Sequence, residues 1–207
     1  MVDQVNNESI PLVSTVLSAW QTVVQNVGRG ETNPFSGRAK EKDMVRELRR
    51  KIEQTTPDTN IVGPDFQESS HGCRIDLVVA QGDDRIAVEA KYKTDRDGAV
   101  PDNRKAAFLD LYRLELYVKS GEYSAGVFLW LTENRSYLTQ AKGDSADFST
   151  HSGRRYVAGT PLRASRARNK MPLPLVLSGN YKFHWKRVGR GWHSLAIPVL
   201  PFANSPP

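Results

Sequence analysis

Glu89 and Lys91 stand two residues apart in the stretch RIAVEAKYK, so on a β-strand both project from one face, with Val88 and Ala90 on the other. Asp76 lies 13 residues before Glu89, inside the apolar run from Ile75 to Ala80, where an unpaired carboxylate is expensive to desolvate. A bound cation would offset that cost. Two carboxylates at this separation suit a hard divalent ion such as Mg2+, which prefers oxygen ligands and keeps several waters, and a nearby ammonium can hold or activate a water that attacks a phosphodiester. Glu-Ala-Lys is the only acid-x-Lys triplet in the chain. An exposed strand face would explain Glu89 and Lys91 equally well one residue at a time; it explains the apolar setting of Asp76 less well.

Positioning these groups falls to two β-branched runs, at about 74–80 and 85–93, separated by the turn residues QGDD, which is the pattern of a β-hairpin. A helical period over about 39–54 places Met44, Val45, Leu48 and Ile52 on one stripe, with Glu41 in the middle of it and Glu47 well to the side. The pattern from Asp102 to Val118 is again helical, and GVFLWLT from Gly126 reads as a buried strand, so strand, helix and strand imply a parallel crossover. Upstream, residues 9–27 predict an amphipathic packing helix capped by Ser9, with Pro11 in its first turn and Gly28 as its stop. Two further strands are expected near PLVLSGNYKFHW and WHSLAIPVL, after an Arg- and Gly-rich linker over 152–170.

A helix bearing Glu41, a hairpin bearing Asp76 and then Glu89-Ala90-Lys91, and a following helix and strand resemble the PD-(D/E)XK nuclease superfamily over residues 39–132. That resemblance implies an α/β, restriction-endonuclease-like fold, a mixed central β-sheet flanked by helices. It implies Asp76, Glu89 and the backbone carbonyl of Ala90 as Mg2+ ligands, with Mn2+ as a substitute. Glu41 would hold a second ion or a metal water, Lys91 would position the nucleophilic water, and the products would carry 5′-phosphate and 3′-hydroxyl ends. Ile75 stands where the name-giving proline would be, and Phe108 where a RecB-like Gln-x-x-x-Tyr would begin, four residues before Tyr112.

The net charge of +6 is unevenly placed: no Asp or Glu follows Asp147, while ten Lys and Arg do, leaving 19 bases against 23 acids, or −4, on the first 147 residues. A basic final third beside an acidic body is the footprint of a polyanion ligand. Candidate phosphate contacts are Arg154, Arg155, Arg163, Arg166, Arg168 and Lys170, with Arg104 and Lys105 on the crossover helix, where a snorkelling base at a helix start is the plainer reading. Tyr156, Tyr181, Trp185 and Trp192 are interleaved with these bases and could stack on nucleotides, although half or more of them suit a strand core.

At 207 residues the chain suits one domain, with a packing helix in 1–30, a catalytic core at 39–132 and a basic C-terminal β extension at 150–207. A single cysteine, Cys73, excludes an intrachain disulfide and zinc sites built on two or more thiolates, and His71, His151, His184 and His193 lack metal-ligand spacing. No apolar run is long enough to cross a membrane, and the N-terminus lacks the features of a signal peptide, so a cytoplasmic protein is expected. The function expected is a Mg2+-dependent DNA endonuclease, acting without a small-molecule cofactor, with a homodimer as the analogous assembly. Restriction, phage defence and mobile-element processing are the settings such an enzyme would serve. A non-cleaving nucleic-acid-binding module on the same fold and a basic RNA-associated protein are the alternatives.

Overall fold

Apolar side chains at helical spacing from Leu12 to Val27 form α1, Pro11–Arg29, which buries Leu12, Val13, Val16, Trp20, Val23 and Val24 among others. The residue at its cap position is Ile10, which supplies no side-chain hydrogen bond, and Ser9 lies outside the described residues. Gly28 does not end this helix. The stop is Gly30, in the left-handed conformation at φ 71° that glycine adopts without strain. α2, Lys40–Thr55, buries Met44, Val45, Leu48 and Ile52, the stripe expected from its period. The structure, a computed structural model, describes residues 10–30, 40–62, 67–68, 74–166 and 171–201.

The central sheet has six strands: β1, Asn60–Val62; β2, Leu77–Gln81; β3, Asp84–Lys93; β4, Ala125–Thr132; β5, Lys186–Gly189; and β6, Trp192–Val199. Their spatial order is β1-β2-β3-β4-β6-β5. β2 and β3 form the expected hairpin, with Leu77 opposite Val88 and Gln81 opposite Asp84. α3, Val100–Lys119, carries the chain over to β4, which runs parallel to β3 with Lys91 beside Trp130. The sheet is therefore mixed, since every other neighbouring pair is antiparallel.

Each sheet face has its own helices. Leu77, Val79, Ile86, Val88, Val127 and Leu129 pack with α1 and α2, while Val78, Ala87, Phe128, Trp130, Leu195 and Ile197 pack with α3. Fully burying one such side chain contributes about 1.5 to 3 kcal/mol, so the two apolar faces commit the sheet to its register. The C-terminal extension belongs to the same sheet, because β6 pairs with β4 from His193 opposite Thr132 to Val199 opposite Gly126.

PLVLSGNYKFHW does not form one strand. It contributes only Leu175–Val176 and Tyr181–Lys182, which pair with Pro161–Leu162 and Arg155–Tyr156 respectively. The resulting strap buries Tyr156, Leu162, Leu175, Tyr181, Phe183 and Trp185 over α3. Three of the four aromatics proposed for nucleotide stacking are thus core residues, and the fourth, Trp192, is half-buried with its ring 5.2 Å from that of Tyr92. Alternation failed in this segment because the chain turns at Ser178 and Gly179, where the carboxylate of Glu115 on α3 accepts both backbone amides. Among the described residues no helix is long and apolar enough to cross a membrane.

Candidate active site

The hairpin strands separate before β3 ends. Leu77 opposite Val88 is their last pair, yet β3 continues to Lys93, so its edge beyond Val88 has lost its neighbour. Two carboxylates take the place of the missing strand. Asp76, at the bend just before β2, accepts the Ala90 amide at 2.8 Å, and Glu41, near the start of α2, accepts the Tyr92 amide at 3.1 Å. The inward aim of Glu41 expected from the helical period is met by this backbone partner, and residues from two elements distant in sequence converge on one strand end.

Glu89 and Lys91 project from the α3 face, as alternation requires. Glu89 is 5% exposed, and among the described residues its Oε1 is a buried acceptor with no hydrogen-bond partner. Lys91 forms an ion pair with Asp110 of α3, and Asp110 also accepts from Arg113 at 3.5 Å. Asp110 was not among the residues predicted to act. Its signal was a lone acid in the apolar stretch AAFLDLY of a helix buried on most sides, the same kind of signal that marked Asp76.

Burial dominates the acid chemistry here. It pushes the Asp76 carboxyl up to about 6, against the opposing effect of the Ala90 amide and with help from the negative charges of Glu41 and Asp110. Burial first, then Asp110 and Asp76, raises Glu89 as well. For Lys91 burial acts to remove the proton, but Asp110, Glu41 and Glu89 outweigh it and the ammonium is held above its ordinary range. Lys91 therefore stays charged at neutral pH. Four carboxylates, Glu41, Asp76, Glu89 and Asp110, face two cations, Lys91 and Arg113. When all four ionise, the excess is the charge that one divalent ion neutralises.

Among the described residues no three His, Cys, Asp or Glu side chains are gathered as a ready-made metal cage. Mg2+ does not need one, since it is commonly held by one or two carboxylates and retains water for the remainder of its shell. Asp76 and Glu89 fit that requirement, with the orphaned Glu89 Oε1 as the structural mark of a missing partner. The Ala90 residue is buried and its amide secures Asp76, while Glu41 already spends one oxygen on Tyr92.

The predicted phosphate contacts divide sharply. Arg104 is 3% exposed and donates to the carbonyls of Ser136 and Thr139, and Lys105 is 4% exposed and pairs with Asp144, so neither presents its charge to an external ligand. Both are engaged within the fold: α3 is buried on so many sides that these bases, in its second turn, anchor the loop after β4. Arg154 is half-buried, Arg155, Arg163 and Arg166 are exposed, and Arg168 and Lys170 lie outside the described residues. No family model, no curated protein and no solved structure matches the chain.

Proposed function

We propose that the chain is a Mg2+-dependent nuclease of the PD-(D/E)XK kind that hydrolyses DNA phosphodiesters, with Asp76, Glu89 and Lys91 as its reacting groups. The observation that carries this reading is the unpartnered, buried Oε1 of Glu89 in a pocket of excess negative charge shared with Asp76. The succession of α2, the β2–β3 hairpin, α3 and a parallel β4 supports the restriction-endonuclease-like reading of the fold.

Asp76, Glu89 and the Ala90 carbonyl would hold the ion, with Glu41 beside them. When bound, Mg2+ supplies Lewis-acid polarisation of a phosphoryl oxygen and lowers the pKa of a coordinated water. Lys91 remains protonated, so its part is to orient the attacking water and stabilise charge building on the phosphate, not to take the water's proton. Attack of the water oxygen on phosphorus, its proton passing to bulk solvent, and departure of the 3′ oxygen, which takes up a proton from solvent, leave a 5′-phosphate and a 3′-hydroxyl. Arg155, Arg163 and Arg166 are exposed and would meet backbone phosphates.

One observation favours a second reading. Asp76 and Glu41 complete the hydrogen bonding of β3, and Lys91 pairs with Asp110, so the same residues could hold a non-cleaving nucleic-acid-binding module together. Cleavage of supercoiled plasmid and of single-stranded DNA in Mg2+, Mn2+ or EDTA separates the two. The nuclease reading expects metal-dependent cutting that falls about 100-fold or more in Asp76→Asn and Lys91→Met, the scale of losing one electrostatic contact to a transition state. DNA binding by the folded wild type with no cutting of either substrate in either metal would favour the module.

A further inference from the structure

The face of β3 that carries Glu89 and Lys91 carries Lys93 next, two residues on. Lys93 lies beside Thr132 of β4, Thr132 is opposite His193 of β6, and His193 is opposite Arg187 of β5. One row of the sheet thus runs from the candidate catalytic strand to the sheet edge as Lys93, Thr132, His193 and Arg187. Three strand spacings of about 4.8 Å make it roughly 14 Å long. Arg135, in the turn of 3-10 helix that follows β4, stands with Arg187 as a charged neighbour of His193. His193 Nδ1 is buried with no hydrogen-bond partner among the described residues.

At the same rim a cleft of about 380 Å3 opens between the ends of β3 and β4 and the β5–β6 turn, with Arg135 and Arg190 in its walls. Asp95 and Glu133 close it on the β3 side, where Glu133 accepts the Asp95 amide. Arg135, Arg187 and Arg190 are exposed, and among the described residues none has an ion-pair partner within 4 Å. The Arg190 guanidinium occupies the space that a side chain at Gly30, just past α1, would need.

We infer that this rim is a phosphodiester-binding track: Arg135 and Arg187 hold the backbone of a DNA strand that passes from the β5 edge toward Lys93 and the Asp76–Glu89 pocket. The inference rests on the nuclease reading for its direction, but the contact itself is with phosphate and needs no chemistry. It places the principal phosphate contacts on two residues outside the Arg-rich strap. Their sequence signal was weak, because Arg135 lies 52 residues before Arg187 and only the β4–β6 pairing brings them together.

Binding of fluorescein-labelled duplex and single-stranded DNA, followed by anisotropy in EDTA across a salt series, tests it. Arg135→Gln/Arg187→Gln is compared with Lys119→Gln/Lys182→Gln, which removes the same charge from the far end of α3 and from the strap. The track predicts at least about tenfold weaker binding for the first pair. The slope of log K against log salt should fall by about 1.8 on duplex or about 1.4 on a single strand, the value of two phosphate contacts. The second pair should bind almost as wild type does. Equal weakening in both pairs, no change in the first, or no binding by the wild type overturns the inference. Rim-dependent binding without Mg2+-dependent cutting would uphold it and sink the nuclease reading instead.

Discussion

Asp76 holds two positions that ordinarily conflict. Its carboxylate completes the backbone hydrogen bonding of β3 through Ala90, yet it is buried deeply enough to be lifted from the ordinary 3.8 to about 6. A carboxyl with a higher pKa in the fold than in the unfolded chain binds its proton more tightly when folded. Its stabilising contribution is complete below about pH 4 and is lost as pH rises to 6 and beyond, where ionisation costs about 3 kcal/mol. The groups facing it are Glu41, Glu89, Asp110 and Lys91. Asp76→Asn keeps an acceptor for the Ala90 amide without the charge. Metal-free Asp76→Asn is therefore expected to be more stable than wild type by about 3 kcal/mol at pH 7.5 and equal to it near pH 4, as read by urea unfolding at both values. Mg2+ at pH 7.5 should raise the wild-type melting temperature and leave that of the variant nearly unchanged, since the ion stabilises only the state that binds it. A variant no more stable than wild type at pH 7.5 would show that Asp76 is well solvated.

At the scale of elements, α1 crosses the free edge of the sheet at Gly28. A Cβ built there would lie 1.6 Å from the carbonyl oxygen of Val188 in β5, so the helix backbone and the strand are in direct contact. This contact covers an edge that would otherwise offer unpaired peptide groups to another chain. Gly28→Ala gains about 1 kcal/mol of helix propensity and incurs about 3 kcal/mol of overpacking against an immobile backbone atom. The net expectation is a loss of about 2 kcal/mol in thermal or urea unfolding; a stabilised variant would mean that α1 does not touch β5. The hairpin shows the complementary case. Its extra length on β3 leaves the Ala90 and Tyr92 amides to Asp76 and Glu41, and the site exists because the two strands are unequal.

For the whole molecule, the strap over α3 is pinned by one buried acid. Glu115 is 1% exposed and accepts the amides of Ser178 and Gly179 and the hydroxyl of Tyr181. Glu115→Ala strands one buried and two part-buried donors, each worth about 1 to 3 kcal/mol, and is expected to lower stability by about 4 kcal/mol in urea unfolding. The strap should then become sensitive to limited proteolysis between the Pro161–Leu162 and Tyr181–Lys182 segments. A loss under about 1 kcal/mol with no new cleavage would show that the aromatic contacts alone hold it.

Local periodicity was enough to reveal α1, α2, α3, the β2–β3 hairpin and the parallel crossover to β4, because each buries one face and writes its repeat into neighbouring residues. Charges inside apolar stripes singled out Asp76 and Glu41, while Glu89 and Lys91 were singled out by their two-residue spacing on one strand face. Tertiary structure alone decided the partners. Asp110 meets Lys91 across 19 residues of sequence, Arg104 and Lys105 are spent on the loop after β4, and Gly28 is a contact with β5 where its sequence suggested a stop. In the strap, pairs such as Arg155 with Lys182 bridge short segments that repeat too few times to show a period. Their positions follow from the surface of α3 beneath them, and that surface forms only when the sheet does.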